Sequence, residues 1–441
     1  MPTPSRPARQ RATSSAPAPR PGTATARSGT GTGVVPATGA PAVRSGPATE
    51  ALAATPLTDH HCHGVFRGPL DDLTIATSLT ESDSVDPRAG SPWASRIGFA
   101  LRRECAPLLD LEPHAPVTAY LARRAELGAA EVTRRMLAAT GTGTFLVDTG
   151  LRPPDGLGGL TTPRELAAAA GPGGVPARAF EIVRLESVAE RVAAAGTSAV
   201  GFPTAFREAL DRAVTGTPTV PVVGVKSIAA YRAGLDLDGR RPSDLEVVAA
   251  AARWLRLTDH GERGPRLTSP TLHRFLIWEG IDRRLPVQLH TGIGDVDAHL
   301  HRADPVAATD LLRRTASAGV PLVLLHTYPF HRQAGHLAQV FPHVFTDVGL
   351  ALHGVGDRAG AVLAEALELV PFGSFLYSSD AYGLPELHLL GALLFKRALS
   401  GLLDDGVVAG DWSESDAVAT AVAIAAGNAG RVYDLRGGPA A

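Results

Sequence analysis

The stretch Thr58-Asp59-His60-His61-Cys62-His63 ends a short run, Pro56–His61, that reads as a β-strand. Seven further runs have the same character: Phe145–Asp148, Ala179–Leu185, Val220–Lys226, Pro286–His290, Pro321–His326, Val344–Asp347 and Ser374–Ser379. Stretches of helical period separate them, among them Asp244–Leu257, Pro305–Ser317, Ala361–Leu369 and Leu384–Ser400. Eight strands alternating with helices predict an α/β fold, and the count favours a (β/α)8 TIM-like barrel over an open doubly wound sheet. No Gly-x-Gly-x-x-Gly follows the first strand, which removes the main argument for a dinucleotide fold. The long stretch 65–144 has helical pieces near Ser91–Arg103, Val117–Glu126 and Ala129–Ala139. It reads as a helical insertion after strand 1, capping the barrel mouth.

Active sites of such barrels form at the C-terminal ends of the strands. Here those ends carry His61 and His63, then Lys226, His290, His326 and Asp380. Strand alternation puts His61 and His63 on one face and Cys62 on the other. Two imidazoles on one face and a third from another strand can hold a metal with room for water. Asp380 could bind that metal or act as the base on its water. Neutral imidazole and carboxylate suit zinc, and also iron, manganese or nickel. Each residue alone has a plainer reading: a hydrogen-bonded histidine, a helix-capping aspartate, an ion-paired lysine. Five polar strand ends at one end of one barrel are harder to explain that way.

The rest of the composition narrows the function. The chain has 441 residues, 44% hydrophobic and 20% charged, with a formal net charge of −2. It is long enough for a large core, and it lacks the basic surplus of a nucleic-acid binder. No apolar run is long enough to span a membrane. Two cysteines, Cys62 and Cys105, make no disulfide framework and suggest a reducing, cytoplasmic setting. Residues 1–50 hold six arginines and one acid, Glu50, among Pro, Ala, Gly, Ser and Thr. With little to bury, they are predicted to be a disordered tail ahead of a barrel over 51–441. Only Lys226 and Lys396 are lysine. Where arginine fills nearly every other cationic position, a lysine can mark a site that needs a neutral or modifiable amine.

The constellation Asp59-x-His61-x-His63, Lys226, His290, His326 and Asp380 resembles the amidohydrolase superfamily over most of residues 55–435. Val225–Leu235, His290–Asp295, Leu324–Phe330, Ser378–Ala381 with Pro385-Glu386, and Gly427–Tyr433 are similar to the amidohydrolase-related family. Within it they are closest to the amidohydrolase-like domain found fused to glutamine-synthetase-like domains. The resemblance implies one or two divalent metal ions, with zinc the first expectation. His61, His63 and Asp380 would hold the first. In a two-metal site a carboxylated Lys226 bridges, and His290 and His326 hold the second. In a one-metal site His290 completes the set and His326 contacts substrate. Homo-oligomers are common for such barrels and are expected by the same analogy.

The function expected is metal-dependent hydrolysis of a C–N amide bond in a small molecule, with a γ-glutamyl amide as one suggested class. Metal-activated water attacks, and Asp380 serves as base and then acid. Non-oxidative decarboxylation of a small carboxylic acid is the alternative, and a non-catalytic regulatory barrel the second. Arg232, Arg184, Glu186 and His331 are the expected substrate-binding residues, Arg232 as a bidentate carboxylate clamp. His353 lies near the mouth as well. His114, His260, His273, His299, His301, His336, His343 and His388 read as solvated or capping.

Overall fold

The computed structural model describes residues 46–435, apart from 83, 152, 154–155, 172–176, 217–219 and 259–265. Seven parallel strands follow one another around the sheet in chain order. They are β1 Leu57–Cys62, β2 Thr142–Asp148, β3 Arg178–Arg184, β4 Val222–Ser227, β5 Val287–His290, β6 Leu322–Leu325 and β7 Val344–Thr346. β1, β5 and β6 are buried along their whole length, as expected of parallel strands covered on both faces.

The side chains alternate between two apolar layers. In β6, Leu322 and Leu324 pack into the large cluster shared with the helices. Val323 and Leu325 join Leu146, Ile182, Leu376 and Tyr433 in a separate cluster. Period 2 therefore sorts the strand residues into a helix-facing set and an inner set. Lys226 follows helix-facing Val225, and Gln288 and His290 alternate with helix-facing Val287 and Leu289. The inner set thus runs up to the polar strand ends.

The run Ser374–Ser379, expected as the eighth strand, forms no ladder. One parallel bridge joins Phe375 to Thr346. Leu376 N donates to Thr346 O at 3.0 Å, and on the other side His60 N donates to Tyr377 O at 3.1 Å. Asp380 N donates to His61 O, and His63 N to Ala381 O. The segment thus occupies the eighth place of the ring, joining β7 back to β1. It is irregular because the Asp59 carboxylate takes Ser379 N (3.0 Å) and Ser379 Oγ (2.6 Å), and because Asp380 is left-handed at φ 49°.

Other boundaries shift for local reasons. The helix Pro47–Ala54 begins inside the stretch read as tail and runs past its expected end at 50; residues 1–45 lie outside the described residues. Its buried Ala48 and Leu52 hold it, and the Asp404 carboxylate accepts from Ala48 N, Thr49 N and Thr49 Oγ1. The expected helix Pro305–Ser317 is α-helical only over Thr309–Thr315, with a 3-10 turn at each end. Between β1 and β2 lie the helices Asp72–Thr77 and Arg96–Glu104, and a helical run Val117–Ala139 broken at Gly128, where φ is 78°. Cys62 and Cys105 are buried free thiols. Among the described residues no helix is long and apolar enough to cross a membrane.

Candidate metal centre

At the strand ends, three histidines meet one carboxylate. Asp380 Oδ1 lies 3.1 Å from His61 Nε2 and 3.4 Å from His63 Nε2, and its Oδ2 lies 3.3 Å from His326 Nε2. Residues that are 319 apart in the chain are brought together by the ring closure. Lys226 Nζ is 2.9 Å from His61 Nε2 and 3.6 Å from Asp148 Oδ2. Arg184 binds the same Asp148 oxygen through Nη2 (2.5 Å) and Nε (3.1 Å). His290 stands beside the group, its ring 4.9 Å from that of His326, with Nε2 on Ile293 O at 3.0 Å.

The backbone is bent to present these groups. His326 and Asp380 both have left-handed φ, 69° and 49°. A non-glycine residue in that region persists only where its surroundings hold it. Around His326 the holder is Asp347, just past β7. Its Oδ1 accepts from His326 N (2.9 Å) and Gly349 N (2.8 Å), and its carbonyl accepts from Thr327 Oγ1 (2.6 Å). His60 Nε2 lies 2.9 Å from the other Asp347 oxygen, and His60 Nδ1 lies 3.2 Å from Tyr433 Oη. Gln288 Nε2 donates to Tyr433 Oη and to His60 O.

Electrostatics favour neutral rings at His61 and His326 and an ionised Asp380. Burial, and then the Lys226 charge, hold His61 well below the ordinary imidazole range. Burial lowers His326 to about 4. Burial raises Asp380, yet the neighbouring rings of His326, His61 and His63 bring it well below its ordinary value. Burial raises Asp148 too, and Arg184 and Lys226 outweigh it. Burial lowers Lys226 despite Asp148.

This donor set fits a divalent ion. His61, His326 and Asp380 offer ligand atoms within 4.8 Å of one another, and so do His61, His63 and Asp148. His61 Nδ1 and both nitrogens of His326 are buried without a hydrogen-bond partner. Unpartnered buried polar atoms are uncommon and ask for a reason.

The centre opens into a cavity of about 1100 Å³. Arg184 and Arg232 line it, as do Thr74, Ser78 and Leu79 from the stretch between β1 and β2. Two expected substrate contacts are directed elsewhere. Glu186 is buried and accepts from Ser227 Oγ (2.6 Å) and Ile228 N (3.0 Å), with His273 Nδ1 at 3.1 Å. It braces the turn after β4. His331 stacks on Tyr328 and pairs with Glu365 at 2.9 Å, away from the cavity lining.

Sequence reasoning missed Asp148 and Asp347. Both close apolar strand runs at the same end as the histidines, and that position was the available signal. His273 and His388, read as solvated or capping, are buried. His388 lies with Asp59 and Cys62 on the far side of β1. His353 is buried and lines the cavity, and apart from its approach to the Ser379 backbone neither ring nitrogen has a partner among the described residues. His260 lies outside the described residues.

No family model matches the chain. It is similar to Protein fluG of Emericella nidulans, 33% identical over 230 residues, which is 49% of this chain and 26% of that protein. The chain thus spans about a quarter of the length of the curated relative it matches. Among solved structures it is similar to a protein of Lactobacillus casei ATCC 334 named for an inferred metal-dependent hydrolase activity. The TM-score is 0.73 at 28% identity, over 88% of this chain and 97% of that one. A glucuronate isomerase from Caulobacter crescentus shares the fold at TM-score 0.58 and 15% identity, over 89% and 95% of the two chains. A uronate isomerase from Bacillus halodurans C-125 does so at 0.56 and 13%, over 88% and 95%. With the ring of parallel strands, these likenesses give the chain an α/β TIM-barrel-like fold shared with metal-dependent enzymes.

Proposed function

We propose that this chain is a metal-dependent hydrolase that cleaves a C–N amide bond of a small molecule. The observation that carries the reading is the convergence of His61, His63 and His326 on the Asp380 carboxylate at the floor of an open cavity. His61, His63 and Asp380 would hold a divalent ion, and His290, His326 and Lys226 would complete a one- or two-ion set. Such an ion, when bound, supplies water of lowered pKa and polarises a carbonyl.

The chain's own groups do the rest. Asp380 accepts the proton of the attacking water on its carboxylate and returns it to the nitrogen as the C–N bond breaks. His326 Nε2 stands 3.3 Å from Asp380 Oδ2, beside the oxygen that takes the proton. Asp148 neutralises Lys226 and Arg184 and steadies the floor. The likeness at 28% identity to a protein named as a metal-dependent hydrolase supports the reaction class.

The test is metal content together with product. Protein purified without chelator is expected to carry one or two ions per chain and to release amine from at least one member of an amide panel. The panel includes γ-glutamyl amides. No metal after reconstitution with zinc or manganese would overturn the reading. So would carbon dioxide release from an acid with no amine from any amide.

A further inference from the structure

We infer that the cavity contains a carboxylate subsite at Arg232, so that the substrate is an amide bearing an acid group away from the bond that breaks; this rests on the hydrolase reading above. Three cations line the cavity: Arg184, Lys226 and Arg232. The first two spend their charge on Asp148, at 2.5 and 3.6 Å. Arg232 has no ion pair or hydrogen bond among the described residues, and its Nε is buried without a partner. Two nearby arginines are already engaged. Arg266 Nη2 pairs with Asp297 at 2.6 Å, and Arg302 Nη2 donates to Ala233 O at 2.5 Å. Burial, and then Arg266, work against the charge of Arg232, and the more distant carboxylates of Glu190, Glu186 and Asp297, none of them bonded to it, only partly offset this. A half-buried guanidinium that is desolvated and unpaired gains when a planar anion arrives.

The residue is also held in place. Glu186 fixes Ser227 and Ile228 at the start of its turn. Ala229 N donates to Ser227 Oγ, and Gly234 N to Ala229 O at 2.8 Å. Leu235 N donates to Arg302 O at 2.9 Å. A side chain on a fixed turn loses less freedom on binding than one on a loose loop. Acids line the cavity too, Glu81 and Asp295 among them. With the other two cations already held by Asp148, a second anionic group finds no partner, so the ligand that fits carries one carboxylate and a neutral or cationic remainder.

The probes are uncleavable methyl ketones with one terminal carboxylate: 4-oxopentanoate, 5-oxohexanoate and 6-oxoheptanoate. Their binding to the metal-loaded protein is measured by calorimetry against the matching neutral carboxamides. At least one acid is expected to bind tenfold or more tightly than its carboxamide. Arg232→Met should weaken that acid ten- to a hundredfold and erase the preference, while Arg232→Lys should keep part of it. The comparison of acid with carboxamide on the wild type needs no variant to fold. No preference on the wild type, or unchanged binding in a folded Arg232→Met, overturns the subsite. Because the probes are not cleaved, the two readings fail separately. Arg232-dependent binding without hydrolysis of any amide removes the reaction class and leaves the subsite.

Discussion

Glu386 and Asp380 are six residues apart, both carboxylates are largely buried, and they meet opposite surroundings. Glu386 accepts from Arg124 Nε at 2.7 Å, Arg124 Nη2 at 3.4 Å and Tyr120 Oη at 3.0 Å. All three residues are at most 6% exposed and none leaves a buried polar atom unpartnered. The cluster ties the helical run Val117–Ala139 to the helix Pro385–Ala409. Around Asp380 the rings of His61 and His326 are fully buried, yet three of their four nitrogens have no hydrogen-bond partner. A polar cluster built for stability satisfies itself. One that leaves donors and acceptors open at a cavity floor is arranged for something that arrives later.

Breaking the open cluster should cost function and little stability. Asp380→Asn is expected to lower amine release at least about 100-fold. Its unfolding midpoint in denaturant should stay close to the wild type. A comparable loss of stability would place Asp380 with Glu386 as a structural acid.

Breaking the closed cluster should do the reverse. Glu386→Ala leaves Arg124 buried without its partner and should cost about 3–5 kcal/mol in denaturant unfolding. Turnover per folded molecule should be retained. Glu386→Gln gives the pH dependence. Burial raises the Glu386 carboxyl, but the Arg124 charge brings it below its ordinary value. A depressed carboxyl stabilises above its unfolded pKa and loses that stabilisation as pH falls through the folded one. The stability gap between wild type and Glu386→Gln should therefore be full at neutral pH and close in acid.

The supports of the open cluster come next. Asp347→Asn weakens the hold on His326 and should lower metal affinity about 10- to 100-fold, read by chelator competition. The smallest effect is expected at His353, an imidazole at the cavity wall whose one approach is to the Ser379 backbone. His353→Phe should leave stability within about 1 kcal/mol, since a buried, largely unsatisfied group is removed. It should raise KM more than it lowers kcat. A large loss of stability would show that His353 belongs with the closed clusters.

The sequence carried these two clusters unequally. His61, His63, Lys226, His290, His326 and Asp380 were legible because each stands where an apolar strand run ends, and one rule reads all such ends together. Asp148 and Asp347 obey the same rule, but a lone aspartate after a strand looks like a helix cap. The eighth strand was legible as the run Ser374–Ser379, though not as a non-ladder segment. Its irregularity depends on the Asp59 carboxylate bonding across 320 residues. His331 and Glu186 were misdirected for a related reason. Nearness to a strand end in sequence does not say which way a side chain turns, and Glu365 and Ser227 drew them away. His273 and His388 lie on helices whose buried faces extend past the apolar residues.

The segment Phe375–Ala381 both completes the ring and delivers Asp380, and that ties chemistry to the order of synthesis. His61 and His63 leave the ribosome early; their carboxylate follows after more than 300 residues. At about 5–20 residues per second, the interval is roughly 15–60 seconds. Through that time the growing chain has an open edge on β1 and on its most recently made strand, and no Asp380 between the imidazoles. On the proposed function, a chain truncated before Asp380 is expected to be inactive, and exposed strand edges leave it sensitive to aggregation. Closure of the barrel and the onset of that activity would then be a single event, set by the arrival of one irregular turn.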